Sequence, residues 1–291
     1  MIEARKITKF FSVINPQGLA EGITAVLSVS LKVEEGEFVA VVGPTGCGKS
    51  TFLEILAGLQ APTEGEVYID GKLVLEPLPS TRKEIETYQR KYRFLSPIAN
   101  DLWRDIPKFD IAMIFQDYAV FPWMTALENV FFTLKLRRVP KGERSYLARK
   151  YLNLVGLNGA ENKYPSQLSG GMRQRVALAR ALSVEPKIIL MDEPFADVDA
   201  LTREKLHEDL LNIWQSMQKT IVFVTHDINE ALYLAGRVVV FSPQPGTVRN
   251  IIPVNLPRPR KRASREIGEL RERIWQIYQY DATGEAIDYV I

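Results

Sequence analysis

Four short runs of consecutive apolar, mostly β-branched residues constrain the fold of this chain more than any other feature. They are Phe38–Val42, Ile188–Met191, Ile221–Val224 and Val238–Phe241. A run without polar alternation is typical of a strand that is buried on both faces. Strands of this kind, separated by helical patterns, form a largely parallel sheet covered by helices. The sequence therefore predicts an α/β domain.

Two other stretches carry different patterns. Thr24–Val33 alternates polar and apolar residues, as in an antiparallel sheet with one face in water. Between Gln116 and Pro165 the pattern becomes helical, and Arg144–Leu154 has apolar residues at helical spacing. We therefore expect an N-terminal antiparallel sheet and a small helical insert in the α/β core.

Composition and charge limit the setting in which the chain acts. Hydrophobic residues make up 46% and charged residues 25%, an ordinary globular balance. The net charge is 37 − 35 = +2, which is too small to indicate a nucleic-acid partner. The single cysteine, Cys47, cannot form an internal disulfide, which fits a reducing compartment. No apolar run approaches the roughly 20 residues that span a bilayer, and the first residues lack a signal region, so we expect a cytoplasmic protein.

A glycine-rich loop follows the first buried run and precedes a helical pattern. Its residues are Gly43, Pro44, Thr45, Gly46, Cys47, Gly48, Lys49, Ser50 and Thr51. Glycines let backbone N–H groups converge on an anion, and a helix N-terminus adds partial positive charge. The pattern predicts a phosphate-binding loop in which Lys49 reaches the β- and γ-phosphates of a nucleotide and Ser50 ligates Mg²⁺. The alternative, a plain glycine turn, does not account for the complete pattern.

Two adjacent acids end the second buried run. A carboxylate at the carboxyl end of a parallel strand, beside a phosphate loop, is placed to hold Mg²⁺. Adjacent side chains project in different directions, so Asp192 can serve the metal while Glu193 faces the attacking water. An acidic turn without function is the alternative, and the neighbouring phosphate loop argues against it.

A second candidate anion site begins a later helical pattern. Ser169 can cap the helix, and Gly170 and Gly171 expose backbone donors. A simple kinase or GTPase has no need of two phosphate sites. A dimer does, if each ATP lies between the first site of one chain and the second site of the other.

The segments LSGGM, GPTGCGKST and IILMDEP together resemble the nucleotide-binding subunit of an ABC transporter, over roughly residues 1–260. The resemblance implies a P-loop NTPase (RecA-like) core with an N-terminal antiparallel β subdomain and a helical subdomain insert. It also implies a head-to-tail dimer, of identical chains or close paralogues, that sandwiches ATP and Mg²⁺.

The same resemblance implies roles for four more residues. Gln116 would touch Mg²⁺ and the lytic water, Asp199 would signal across the dimer, and His226 would act as a switch near the γ-phosphate. Phe11 would stack on adenine, with Phe10 or core packing as the alternative.

Two positions near these residues stand apart. Asp197 departs from the family pattern and puts extra negative charge near the dimer seam. His207 falls on a predicted surface helix and receives no role.

Two shorter segments resemble importers of nitrate, sulfonates and taurine: FPWMTALENV at Phe121–Val130 and LPRPR at Leu256–Arg260. The resemblance implies a peripheral subunit on the cytoplasmic face of the inner membrane. A groove beginning at Gln116 would receive a permease helix, and a substrate-binding protein would act indirectly. Phe121 and Trp123 packed inside the insert are the alternative. The rival functions are an ABC-type ATPase without a permease and a subunit that only senses ATP.

We predict an ABC ATPase domain over residues 1–256, with the helical insert at about 117–170 and an extra segment at about 76–110. The extra segment, which contains Tyr88, Tyr92, Phe94 and Trp103, forms either a self-packed loop or a docking surface. Residues 257–291 form a basic and amphipathic extension, in which Ile267, Leu270, Ile274 and Ile277 have helical spacing. We expect this helix to pack on the core; contact of its basic cluster with anionic lipid is the alternative.

Overall fold

The computed structural model describes residues 1–14, 20–77 and 111–283. The predicted extra segment, apart from residues 76–77, and its four aromatic residues lie outside these ranges. Among the described helices, none has the length and apolar character needed to cross a membrane.

Six strands form a central sheet that contains all four apolar runs. The strand order is β10–β9–β3–β8–β7–β6, and every neighbouring pair is parallel except β9 and β10. The strands are β3 Phe38–Val42, β6 Ile111–Ile114, β7 Ile188–Asp192, β8 Thr220–Thr225, β9 Arg237–Phe241 and β10 Val248–Pro253. Every residue of β3, β7 and β8 is buried. The predicted parallel sheet is confirmed.

The N-terminal region forms a four-stranded antiparallel sheet in the order β2–β1–β4–β5. Its strands are β1 Ile2–Ile14, β2 Ala20–Val33, β4 Glu64–Ile69 and β5 Lys72–Leu75. The alternating stretch at Thr24–Val33 lies within β2, as predicted. A bridge between Val26 and Gly246 joins this sheet to the loop between β9 and β10.

Seven α-helices connect and cover the strands of the described chain. They are α1 Lys49–Leu56, α2 Ala126–Leu136, α3 Lys141–Leu154, α4 Gly170–Ser183, α5 Ala200–Met217, α6 Ile228–Leu234 and α7 Arg265–Thr283. In the predicted insert, α2 begins where Thr125 and Glu128 form a reciprocal capping box. The helical insert in the α/β core is therefore confirmed.

Side chains of β3 divide between two hydrophobic cores. Phe38, Ala40 and Val42 face a core that they share with residues of α2 to α7. Val39 and Val41 face a second core built with α1 and the antiparallel sheet. Because alternate residues of a strand point to opposite faces, both faces of the central sheet are covered. This explains the absence of polar alternation in the four runs.

The C-terminal helix packs on the core, as expected. Ile267 and Ile274 of α7 are buried in the first core, and Leu270 and Ile277 pack against it. Arg260 of the basic cluster is only 7% exposed, so this residue does not present its charge to a lipid surface.

His207 lies on a surface helix, as predicted, because Glu204 and Glu208 of α5 are exposed, but the residue itself is on the buried face. His207 belongs to α5 but is 1% exposed. Its ring lies 4.4 Å from that of Phe195, edge to face, and Arg262 of the C-terminal extension contacts its other side. The face of α5 that carries His207 is covered by elements distant in sequence.

Candidate active site

The glycine-rich loop joins the carboxyl end of β3 to the first residue of α1. Gly48 has φ +94°, and a Cβ there would lie 2.3 Å from the carbonyl oxygen of Ala25, so only glycine fits. Lys49 is buried, and its Nζ donates hydrogen bonds to the carbonyl oxygens of Gly43 and Pro44 at 2.8 and 2.9 Å. Thr45 and Gly46 are exposed at the rim. The loop therefore holds the Lys49 ammonium against its backbone, where the positive charge can attract an anion.

Cys47 supports this loop from below. Its side chain is buried, and its Sγ lies 3.8 Å from Lys49 Nζ. A Cβ at Gly43 would lie only 2.7 Å from that sulfur, so the thiol fills the space under the loop. Burial raises the pKa of the Cys47 thiol, which disfavours the reactive thiolate. The residue packs the loop and has no sign of nucleophilic chemistry.

Asp192 and Ser50 meet where β7 ends and α1 begins. Ser50 Oγ donates a hydrogen bond to Asp192 Oδ1 at 2.9 Å. Burial raises the pKa of Asp192 above its ordinary value, while the Ser50 hydrogen bond acts in the opposite direction. A hydroxyl and a carboxylate are the oxygen ligands that Mg²⁺ prefers, with waters and substrate phosphates completing its shell. The pair therefore fits the predicted magnesium site, although the described residues include no group of three or more His, Cys, Asp or Glu able to hold a metal alone.

Glu193 and His226 are brought together at the ends of β7 and β8, which pair in parallel. Glu193 Oε2 lies 3.0 Å from His226 Nδ1, and the backbone N–H of Glu193 donates to the carbonyl oxygen of Val224. The exposed fraction is 17% for the Glu193 side chain and 57% for that of His226. The adjacent acids thus have different partners, Ser50 for Asp192 and His226 for Glu193. The geometry is that of an acid and an imidazole hydrogen-bonded at an open edge.

The serine–glycine segment lies beside the loop that precedes α5. Ser169 caps α4 by accepting a hydrogen bond from the backbone N–H of Met172, and its side chain is exposed. A Cβ on Gly170 would lie 2.7 Å from the carbonyl oxygen of Asp197, so the two loops touch. Asp199 caps α5 in the same way as Ser169 caps α4, and its hydrogen bond from Thr202 lowers the Asp199 pKa.

Within the described chain, no hydrogen bond or ion pair joins Ser169–Gly171 to the glycine-rich loop that holds Lys49. The structure therefore brings the predicted residues together as two groups. One contains the phosphate loop, Asp192, Glu193 and His226. The other contains the serine–glycine segment and Asp199.

Two predicted site residues remain: Gln116 near the carboxyl edge of the central sheet, since β6 pairs in parallel with β7, and Phe11 in the antiparallel sheet. Gln116 is exposed just after β6. Phe11 of β1 is half-buried, and Lys9 Nζ lies 5.1 Å from its ring centroid. Phe10 is 48% exposed, and its ring lies against Gly22. Among the described residues, no contact of Gln116 or Phe11 tests their predicted roles, which stay predictions.

Sequence reasoning missed a set of polar residues behind His226. Thr225 Oγ1 donates to Glu230 Oε2 at 2.8 Å and accepts from the backbone N–H of Asp227 at 3.0 Å, which fixes the residues on both sides of His226. Glu230 is 5% exposed. A usable signal is present in the sequence, because Glu230 is an acid placed between Ile228 and the apolar run Ala231–Ala235.

This fold and these contacts define an ATPase with a phosphate-binding loop. The protein-family model for ABC transporters matches residues 26–196, which is more than half of the chain. The chain therefore belongs to the ABC transporter family, as an ATP-binding subunit that hydrolyses ATP.

Curated relatives agree with this assignment over most of their length. An uncharacterized ABC transporter ATP-binding protein of Methanocaldococcus jannaschii is 45% identical over 88% of this chain and 84% of its own. The aliphatic sulfonates import ATP-binding protein of Bacillus cereus is 38% identical over 96% of both chains. The nitrate import ATP-binding protein of Synechocystis is 41% identical over 82% of this chain and 79% of its own.

Solved structures show the same fold. A dimeric ATP-binding cassette in a post-hydrolysis state, bound to ADP and Pi, has a TM-score of 0.68 and 34% identity, and covers 88% of this chain and 100% of its own. A dimeric bacterial ABC transporter cassette gives a TM-score of 0.70 and 35% identity with the same coverage. The P-loop NTPase fold predicted from the sequence is confirmed.

Proposed function

We propose that this ATPase drives import of a small anion, of the sulfonate or nitrate type, through a membrane permease that it binds from the cytoplasmic face of the inner membrane. The hydrogen bond between Glu193 and His226, beside the Asp192–Ser50 pair, carries the hydrolytic part of the proposal. The printed names of the sulfonate and nitrate relatives support the anion class.

In the proposed reaction, Lys49 and the loop backbone hold the β- and γ-phosphates of ATP. Glu193 orients and polarises a water in line with the γ-phosphate, and His226 holds the Glu193 carboxylate through their 3.0 Å hydrogen bond. Ser50 and Asp192, with Gln116 nearby, would hold Mg²⁺, which neutralises charge on the phosphate oxygens when bound. Phe11 would stack on adenine.

Two chains are needed for a complete site under this proposal. Ser169 is exposed at an α4 N-terminus whose backbone donors can meet a phosphate. Because the described chain makes no link from this segment to its own phosphate loop, the γ-phosphate contact of Ser169–Gly171 would come from a second subunit. The dimeric form of the two solved relatives supports this arrangement.

A rigid aromatic loop provides the proposed permease contact. Trp123 is 69% exposed, and its ring lies 5.6 Å from that of Phe121. Asn129 is buried and fixes the loop: its Oδ1 accepts from the N–H of Phe121, and its Nδ2 donates to the carbonyl of Met124. Arg180 donates to the carbonyl of Ala119 and lies 4.8 Å from the Phe121 ring centroid. An exposed tryptophan on a fixed loop suits a helix-in-groove contact.

The hydrolytic proposal is tested with Glu193→Gln in the purified full chain. We expect ATP binding to persist and turnover to fall by about 10²–10⁴-fold, the usual contribution of acid–base positioning. Glu143→Gln, at an exposed site on α3, is the matched control and retains activity. Unchanged turnover in Glu193→Gln would refute the role of Glu193.

The transport proposal is tested by pull-down of the tagged chain from detergent-solubilised native membranes. We expect a multi-span permease to co-purify, and Trp123→Ala to lose it while Tyr146→Ala, equally exposed on α3, keeps it. The recovered complex, placed in liposomes with its binding protein, is then assayed for ATP hydrolysis stimulated by sulfonates or nitrate. A soluble partner without a permease would favour the ATPase that acts away from membranes.

A further inference from the structure

A buried polar cluster lies behind the segments proposed for catalysis. We call it the α5–α6 cluster, and its members are Arg203, His207, Glu230 and Arg262. His207 and Glu230 are 1% and 5% exposed. Arg262 comes from the C-terminal extension, whereas the other three belong to α5 and α6. None of these residues contacts ATP in the mechanism proposed above.

Arg262 determines which nitrogen of the His207 ring acts as a hydrogen-bond acceptor. Arg262 Nη2 lies 3.0 Å from His207 Nδ1, and a guanidinium can only donate, so Nδ1 is the acceptor. The proton of the neutral ring therefore resides on Nε2, which faces Glu230 Oε1 at 3.6 Å. Among the described residues, that nitrogen has no hydrogen-bond partner, and its ion-pair contact is with the Glu230 carboxylate.

The cluster touches three segments of the candidate active site. Glu230 accepts from Thr225, one residue before His226. Arg203 donates to the carbonyl oxygen of Val198, one residue before Asp199, and its Nε lies 3.7 Å from Glu230 Oε1. The His207 ring meets Phe195, two residues after Glu193. A change in the orientation of Glu230 would therefore alter the contacts of the cluster with all three segments.

The C-terminal extension is firmly attached at this place. Arg262 stacks over Tyr233, with its guanidinium carbon 3.8 Å from the ring centroid, and its Nε lies 3.6 Å from Glu204. Next to it, Arg260 donates to several carbonyl oxygens at the end of α6. A cavity of about 330 Å³ borders the cluster, so close packing alone does not fix the side chains. Charge and hydrogen bonding must do so.

We propose that Arg262 is a positioning residue: through His207 and Glu230, the C-terminal extension sets the position of the loop that carries His226. The inference rests on the proposed role of His226. It assigns the extension a part in ATP hydrolysis, in addition to its packing on the core.

The test is Arg262→Gln in the purified full chain, with kcat and KM for ATP measured separately. We expect kcat to fall about tenfold, because small misplacements of catalytic groups have effects of this size or larger. KM should change little, because the phosphate loop is not involved. Arg265→Gln, the same substitution at a side chain that is 89% exposed and forms a surface ion pair with Glu269, should keep the full kcat.

The same substitution in a His226→Ala variant distinguishes a positioning role of Arg262 from a general loss of structure. Residues that act as a unit are not additive, so Arg262→Gln should add no further loss when placed on His226→Ala. If Arg262→Gln lowers the melting temperature, Arg262→Lys, which keeps a cationic donor to His207, is compared in both backgrounds. We expect Arg262→Lys to lose less kcat than Arg262→Gln, and we expect that loss to be absent when His226→Ala is also present.

Two results would overturn the inference: an unchanged kcat in Arg262→Gln, or an equal fractional loss with and without His226. Both leave the proposed function standing, as long as the wild type hydrolyses ATP and His226→Ala impairs it. Failure of His226→Ala to lower turnover would instead remove the proposed role of His226 itself.

Discussion

Replacement of Arg260 by methionine should destabilise the fold more than any other change to the basic C-terminal cluster. Arg260 donates to the carbonyl oxygens of Leu232, Tyr233, Ala235 and Val254 at 2.7, 3.2, 2.6 and 2.8 Å. The first three lie at the C-terminal end of α6, where carbonyl groups lack partners within the helix and the helix dipole favours a cation.

The contacts and burial of Arg260 give the expected loss in the free energy of unfolding. Nη1 has two hydrogens and makes three of these contacts, so the four contacts amount to three full hydrogen bonds. Hydrogen bonds from a charged donor contribute about 2 kcal/mol each, so three contribute about 6 kcal/mol. Burial lowers the pKa of Arg260 from 12.5 to about 10. This corresponds to a cost of about 3 kcal/mol for keeping the charge there. The expected net loss in the free energy of unfolding for Arg260→Met is therefore about 3 kcal/mol, or about 5–10 °C in melting temperature.

The assay is thermal unfolding followed by circular dichroism or calorimetry at pH 7.5. Arg265→Met serves as the control, because its side chain is 89% exposed and its ion pair with Glu269 lies on the surface. Arg260→Lys should give an intermediate loss, since an ammonium has fewer donors and no planar fork. Equal melting temperatures for Arg260→Met and Arg265→Met would show that the buried guanidinium contributes nothing net.

Two further predictions concern the active site. Burial raises the pKa of Asp192 above 3.8, so its ionised form opposes folding, and that cost is present once the pH has risen through the raised pKa. Asp192→Asn should therefore raise the melting temperature of the nucleotide-free protein at pH 7.5 while weakening Mg²⁺-dependent ATP binding; a lower melting temperature would contradict this. Gly170→Ala places a Cβ 2.7 Å from the carbonyl oxygen of Asp197, so we expect turnover to fall with ATP binding intact, whereas Gly142→Ala, which points into open space, should leave both unchanged. Phosphate release measures turnover, and nucleotide titration measures ATP binding. Normal turnover in Gly170→Ala would show that the contact between Gly170 and Asp197 is dispensable.

The local sequence pattern was sufficient to predict the strands and the loops, but not to predict which face of α5 is buried. The four apolar runs are all strands, because burial on both faces leaves a direct trace in the sequence. His207 has no such trace: its burial depends on Arg262, which lies 55 positions away in the chain. The sequence of the basic cluster likewise does not indicate that Arg260 donates hydrogen bonds to carbonyl oxygens at the end of α6. Covering elements of this kind are set by tertiary packing, which spacing within one helix does not encode.

The sequence alone determined the chemical parts of the site. Gly48, Lys49 and Ser50 follow from the loop pattern, and the acids follow from their position at a strand end. Only the tertiary structure decided which of them meet: Ser50 with Asp192 across 142 positions, and Glu193 with His226 across 33. The physical reason is the order β3–β8–β7, since adjacent parallel strands deliver their carboxyl ends to one edge of the sheet.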